Sequence, residues 1–309
     1  MLVAHDNVGV VIIDVNTWSI RTLPELASTL DHLAFSPDGT SFVLPIGGDD
    51  PTQCWKTTAT LKWEIKPGSM DAAFSPDGKT LAATRSKFVL LCDAATGKIL
   101  HEMPKHTKRV DELAFSSDGK RVASFGQSQV CLWDARHGKL VAVVKEPPGE
   151  VHVIGFSPNS RSLAVADANG IIRLYDPASG KKQHEWQAHG CPIFHLTFTS
   201  DSTRLLTQSF VGDDLSLRVW EFPSCRQVHQ FPGARTSFYL SPDEKTVVLL
   251  VGSVPEMRSL ATWELRKIPW KTPLRMSSLA FSPDKNWMAC ILENGKTQVW
   301  KITDALPTD

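Results

Sequence analysis

One short turn recurs from end to end of the chain, and it constrains the fold more than any other feature. It reads Phe35-Ser36-Pro37-Asp38, Phe74-Ser75-Pro76-Asp77, Phe115-Ser116-Ser117-Asp118, Phe156-Ser157-Pro158-Asn159, Phe198-Thr199-Ser200-Asp201, Leu240-Ser241-Pro242-Asp243 and Phe281-Ser282-Pro283-Asp284. The seven copies lie 39, 41, 41, 42, 42 and 41 residues apart, a period that holds four short strands and excludes the shorter helical repeats. Length alone would divide 309 residues into domains of roughly 150, but the unbroken repeat makes residues 1–309 one domain. Its units fall near 31–70, 71–111, 112–152, 153–194, 195–235, 236–276 and 277–303. Proline presets φ near −65° at the second turn position, and Asp and Gly accept the tight geometry that follows.

Within a unit the alternation is that of strands. Val110, Leu113 and Phe115 precede the turn, and Val122, Ala123 and Phe125 follow it; then come Val130, Leu132 and Trp133, and finally Leu140, Ala142 and Val144. We name these strands a to d. The Ser-Pro-Asp-Gly turn joins a to b. A second turn joins c to d: Asp93 to Lys98 and its counterparts Asp134 to Lys139 and Asp176 to Lys181 carry glycine at 97, 138 and 180, while Glu221 to Arg226 carries Cys225 there. Strand c is expected to end in a large residue in nearly every unit, at Trp55, Cys92, Trp133, Tyr175, Trp220, Trp263 and Trp300, with an acid next at 93, 134, 176, 221 and 264.

These residues resemble the WD-repeat β-propellers, and the resemblance covers practically the whole chain. One tryptophan before an acid is common; aligned copies at this period are specific. The style of the turns resembles bacterial members. The resemblance implies an all-β propeller of about seven four-stranded blades, and a structural network of His, Asp and Trp that ties adjacent hairpins together. His189, Asp214 and Trp220 stand at the matching offsets, with Thr207 or Ser209 as the strand-b hydroxyl. His106 and Trp133 repeat the pattern with Gln127 at the acid position, and Asn169 and Asn294 stand there before Tyr175 and Trp300. His189 with Cys191 reads as part of this network rather than as a metal or nucleophile pair.

The ends are harder to place. Residues 1–25 read as strands b, c and d, the run from Met1 to Asp14 paralleling that from Ser162 to Asp176, and the last unit stops after strand c near Trp300. Ile20 to Leu23 can supply strand d of the last blade, which closes the ring without an open edge. Seven blades result. Keeping the first hairpin as an incomplete blade gives eight, and a chain that is a fragment of something longer stays open.

Function is read partly by exclusion. With 33 Lys+Arg against 33 Asp+Glu there is no polyelectrolyte argument for nucleic acid or an anionic membrane, and the longest apolar runs fall far short of the roughly 20 residues a spanning helix needs. Six cysteines without Cys-x-x-Cys spacing and a start without a basic leader lead us to expect reduced thiols in a cytoplasmic protein. No Gly-x-Ser-x-Gly elbow, phosphate loop or His-Glu-x-x-His occurs, so no catalytic residue, metal or cofactor is expected. The acidic loops Gly47 to Pro51 and Val211 to Asp214 do not match an EF-hand. The family resemblance implies a non-enzymatic scaffold for a protein or peptide. The rim of d/a and b/c loops collects His106, Lys108, Arg109, Glu150, His189, Arg235, Trp270 and Arg275, with Arg85 and Glu256 from b/c loops; its basic character points to an acidic ligand. Lys108, Arg109, Arg235, Trp270 and Arg275 are the expected contacts, Trp270 because an exposed indole between prolines suits an interface anchor. The competing reading is a regulatory or gating ring of a larger signalling enzyme or hydrolase.

Overall fold

The repeated hairpins are closed by side chains as well as by backbone, and the recurring turn shows how. The Ser36 hydroxyl donates to Asp38 Oδ1 at 2.6 Å and accepts from Ser41 N at 2.9 Å, while Asp38 Oδ1 also accepts from Thr40 N at 3.0 Å. Ser75–Asp77, Ser116–Asp118, Ser157–Asn159, Thr199–Asp201 and Ser241–Asp243 repeat the bond from the hydroxyl to side-chain Oδ1. The residue after the acid takes positive φ, as Gly39, Gly78 and Gly119 and then as Ser160, Ser202 and Glu244. The first three use the freedom glycine has. The other three accept the cost, and their side chains reach back to the preceding turn: Ser160 Oγ accepts from Asp118 N, Ser202 Oγ from Asn159 N, and the Glu244 carboxylate from Ser200 N.

The computed structural model describes residues 2–6, 9–14, 19–23, 33–46, 50–66, 68–144, 149–209, 211–212, 214–233, 238–241, 243–251, 254–266, 276–281, 287–292 and 297–301. The strands in these residues pair as consecutive antiparallel meanders. β1 (Leu2–Asp6), β2 (Gly9–Asp14) and β3 (Ser19–Thr22) form the first sheet. The second holds β4 (Ala34–Phe35), β5 (Ser41–Leu44), β6 (Thr52–Lys56) and β7 (Thr60–Ile65). The third is β8 (Ala72–Phe74), β9 (Thr80–Arg85), β10 (Phe88–Asp93) and β11 (Ile99–Pro104). The fourth follows with β12 (Glu112–Phe115), β13 (Arg121–Gly126), β14 (Gln129–Asp134) and β15 (Leu140–Val144). β16 (Val151–Phe156), β17 (Leu163–Asp167), β18 (Ile171–Tyr175) and β19 (Lys182–Gln187) make the fifth. The sixth has β20 (His195–Phe198), β21 (Arg204–Ser209), β22 (Ser216–Glu221) and β23 (Arg226–Pro232). β24 (Phe238–Leu240), β25 (Thr246–Val251) and β26 (Val254–Ser259) form the seventh, and β27 (Met276–Phe281), β28 (Trp287–Leu292) and β29 (Thr297–Lys301) the eighth.

Eight sheets therefore form among the described residues, against seven tetrads in the sequence. The additional one is β1–β3. The expectation that Ile20 to Leu23 serves the last blade meets a different arrangement, because β3 pairs with β2, and Leu23 packs with Phe42, Leu44, Ile46 and Trp55 of the next sheet. How the last residues meet the first sheet lies outside the described residues.

The first strands of successive sheets touch in order, β4 to β8 to β12 to β16 to β20, so the sheets are arrayed side by side about the line of their a strands. The core lies between neighbouring sheets. Ala123, Phe125, Val130, Leu132 and Val144 of the fourth pack on Val151, Ile154, Leu163, Val165 and Tyr175 of the fifth, and the fifth meets the sixth through Ile172 and Leu174 against Leu196, Phe198 and Trp220. Each Val, Leu, Ile or Phe among them contributes about 1.5–3 kcal/mol when fully buried. The b and c strands are accordingly buried, as in β9 and β10, while the d strands β11, β19 and β23 are mostly exposed. Cys54, Cys92, Cys131 and Cys290 are buried, and all six cysteines are unpaired.

Trp263 corrects the expected strand ends. Strand c of the seventh sheet is β26, which ends at Ser259, and Trp263 lies in the following turn at φ 63° with its N–H donated to Ser259 O, as Gly97 donates to Asp93 O. Trp263 thus takes the place of glycine. A Cβ on Gly97 would meet the Trp63 ring at 2.8 Å and one on Gly138 would meet His101 at 2.6 Å. At Trp263 the neighbouring strand instead offers His229 and Phe231, and the indole packs on both with centroids 5.0 and 5.1 Å away. It is core, as expected, but by a different route.

Candidate functional site

Backbone hydrogen bonds sort the loops onto two faces. On one, c/d turns rest on a/b turns, through Ala94 N to Lys79 O, Ala135 N to Lys120 O and Leu260 N to Lys245 O. On the other, the d/a loops rest on b/c turns: Val110 N donates to Ser86 O, Val151 N to Gln127 O, and Ala188 N and His189 N to Gly170 O. The approach is close. A Cβ on Gly126 would lie 1.9 Å from Arg109 O, and one on Gly170 2.2 Å from His189 O, so these glycines are what let the loops seat.

Two of the d/a loops are pinned by a buried histidine. His189, 1% exposed, places Nε2 2.9 Å from the Thr207 hydroxyl, which also accepts from Trp220 Nε1 at 2.8 Å. Thr207 fills the strand-b position; Ser209 Oγ is buried without a partner. Asp214 Oδ2 lies 3.3 Å from His189 Nδ1, off the line of a hydrogen bond, and accepts instead from Gly190 N and Arg218 Nη2, each at 2.8 Å. Partial burial works against the Asp214 charge, yet the Ser216 hydroxyl, Gly190 N–H and Arg218 outweigh it and hold the carboxyl below its ordinary range. Burial pulls the imidazole of His189 down to about 4, so it is neutral at pH 7.

The other loop repeats the pin without the acid. His106 Nε2 lies 2.7 Å from Ser124 Oγ, which accepts from Trp133 Nε1 at 2.9 Å. Burial again lowers the histidine to about 4. Gln127, at the acid position, is exposed at φ 55°, and its N–H donates to Asp111 Oδ2. In both networks the hydroxyl accepts from the indole and is shared with Nε2 of a neutral imidazole.

The fifth sheet has neither His nor Asp at these places and uses an ion cluster that sequence reasoning missed. Arg173, 3% exposed, binds Asp167 Oδ2 at 2.6 Å and Glu185 Oε2 at 2.9 Å, while Asp167 Oδ1 accepts from Asn169 N and Ile171 N. A single Arg inside the apolar run Ile171 to Tyr175 was its signal. Nearer the axis, Asp71 joins two sheets by accepting from Ala72 N and Leu113 N at 2.9 Å; burial, and then the Asp71 charge, push neighbouring Glu112 up to about 8.

Of the expected contacts, Lys108 and Arg109 are exposed on the His106 loop, Arg109 with Nε 3.1 Å from Asp111 Oδ1. Arg235, Trp270 and Arg275 lie outside the described residues. Arg85 and Glu256 are not loop residues: Arg85 ends β9, paired with Glu102 at 2.6 Å, and Glu256 lies within β26, paired with Arg258 at 2.9 Å. Strand pairing extends further toward the rim than hydrophobicity suggested.

Residues 97–134 match the WD domain, G-beta repeat, and residues 144–201 match the WD40 domain of anaphase-promoting complex subunit 4. The matched segments are WD repeats, and the fold is that of a β-propeller. The crystal structure of the computationally designed Ika8 protein superposes with a TM-score of 0.78 at 17% identity, covering 97% of this chain and 95% of that one. At that identity the likeness speaks to the fold alone. No curated protein matches in sequence closely enough to count as a relative. WD-repeat propellers generally mediate protein–protein interactions and are typically non-enzymatic, and the two matched segments of this propeller contain the His106 pin and the first half of the His189 pin.

Proposed function

We propose that this propeller is a non-enzymatic cytoplasmic scaffold that holds an acidic protein or peptide on the rim of d/a and b/c loops, and binds neither nucleic acid nor membrane. The seating of the d/a loops carries this reading: buried His106 and His189 fix two of them from below, so exposed side chains are presented on rigid backbone and little ordering entropy opposes binding. The cations Lys108 and Arg109 project from one such loop, and Arg235 and Arg275 belong to later d/a connections.

The test compares the two faces. A triple variant Arg109→Ala, Arg235→Ala, Arg275→Ala is set against Lys98→Ala, Lys139→Ala, Lys181→Ala in the c/d turns, with partners captured on the full chain. The rim triple loses the main partner, and what it retains is less salt-sensitive, because exposed ion pairs are screened over about 8–10 Å. Equal retention by both triples moves the site elsewhere.

A further inference from the structure

The d/a loop from Lys105 to Val110 is anchored at three points and open between them. His106 descends onto Ser124 Oγ at 2.7 Å, Thr107 N donates to Gln129 Oε1 at 3.0 Å, and Val110 N donates to Ser86 O at 2.8 Å. Between the last two anchors the N–H groups of Lys108 and Arg109 have no acceptor among the described residues. Consecutive free amides on a tight loop form a small anion-binding concavity. The bond from Val110 to Ser86 also brings the b/c turn, with exposed Lys87, against this loop.

The charges around it are unbalanced. Arg85 is matched by Glu102 and Arg109 by Asp111, whereas Lys87, Lys105 and Lys108 have no acidic partner among the described residues. Three free ammonium groups and two free amides suit a dianion with three acceptor oxygens better than a single carboxylate. The second pinned loop is the counterexample: Gln187 to Ile193 carries no Lys or Arg, and Gly190 N is already bound to Asp214.

We propose that Lys87, Lys105, Lys108 and the amides of Lys108 and Arg109 form a subsite for the phosphate of a phosphorylated serine or threonine in the partner segment. The proposal rests on the rim reading above and narrows it. The lysines supply charge, the amides supply direction, and the His106 pin keeps both in register before the partner arrives.

Amide-resolved NMR on the isotope-labelled full chain tests this, with inorganic phosphate and N-acetyl phosphoserine amide as probes and N-acetyl aspartate amide as the carboxylate control. Saturable shifts centred on the Lys108 and Arg109 amides are expected with both phosphates, with aspartate at least about tenfold weaker. Lys87→Gln, Lys105→Gln, Lys108→Gln together weaken phosphoserine by about tenfold or more, the scale of one lost charge-assisted hydrogen bond; Lys98→Gln, Lys139→Gln, Lys181→Gln leave it unchanged. All these side chains are exposed, so neither variant threatens folding. No saturable shift at 108 and 109, an equal response in both variants, or aspartate binding as tightly as phosphoserine each overturns the proposal. If phosphate leaves these amides unmoved while the rim triple still loses its partner, the rim reading stands and this subsite falls. Saturable phosphate shifts here, with a rim triple that keeps its partner, leave the subsite standing and overturn the rim reading.

Discussion

The loops pinned by His106 and His189 are built on one plan and differ in a single functional group. Each drops an imidazole onto a strand-b hydroxyl that also holds a tryptophan indole, at closely similar distances. Around His189 stands Asp214; at the same place near His106 stands Gln127. The expected His–Asp bond would make the acid decisive. Yet Asp214 approaches Nδ1 off-line and spends its oxygens on Gly190 N, Ser216 and Arg218, and both histidines are lowered to about 4 by burial. The hydroxyl and indole make the pin, and the acid tunes the loop beside it.

Acid should produce the largest effect. Both histidines titrate near 6.5 when unfolded and near 4 when folded, and His195, stacked on Phe238, is likewise lowered to about 4 by burial. The unfolded chain therefore binds more protons between these values. Their stabilising contribution is complete above pH 6.5 and is lost as pH falls toward 4, on the order of 2–3 kcal/mol for each group. Thermal unfolding across pH 7 to 4 should show this decline, and His106→Ala with His189→Ala should remove about two-thirds of the histidine share, leaving the part that His195 contributes. A profile unchanged by that double substitution means the imidazoles are not buried as described.

Single substitutions separate the two pins on a smaller scale. His189→Ala and His106→Ala should each cost about 1–3 kcal/mol, through a lost hydrogen bond and the space left beside the indole, with no catalytic consequence. Because Asp214 keeps its other partners, the two costs should agree within about 0.5 kcal/mol. Denaturant unfolding of the pair decides it. An excess of about 2 kcal/mol or more for His189→Ala would restore the acid to the leading role.

The tetrad and the strand alternation were enough to find the sheets because the information is local: hydroxyl, proline and acid lie within five residues of the bonds they make. The His189, Thr207 and Trp220 set could be assembled from offsets alone, although Thr207 and Ser209, two apart, point to the same side, and only distance along the strand selects Thr207. Trp263 departs from its expected strand end because nothing in a sequence marks an indole for positive φ; the reason for it, the aromatic face of His229 and Phe231, sits on another sheet. The partners of Arg173, namely Asp167 and Glu185, and the approach of the b/c turn that carries Lys87 to the loop that carries Lys105 and Lys108, cannot be read from the sequence for the same reason. They belong to different strands or loops, brought near one another by strand pairing and by the seating of loops on glycines such as Gly126 and Gly170.

The smallest effect falls at the one position where the two regions differ. Gln127 holds φ at 55° with an exposed side chain, a conformation that costs an ordinary residue roughly 1 kcal/mol, whereas glycine adopts it freely. Its backbone matters more than its amide, since its N–H donates to Asp111 and its C=O accepts from Val151. Gln127→Gly keeps both bonds and relieves the strain, with part of the gain returned through the greater freedom of the unfolded chain. The net expectation is stabilisation of about 0.5 kcal/mol, with the His106 titration unmoved. Measured destabilisation beyond about 1 kcal/mol would show that the Gln127 side chain, and not only its backbone, holds the acid-free loop in place, and the similarity of the two pins would then rest on a hidden substitute for Asp214.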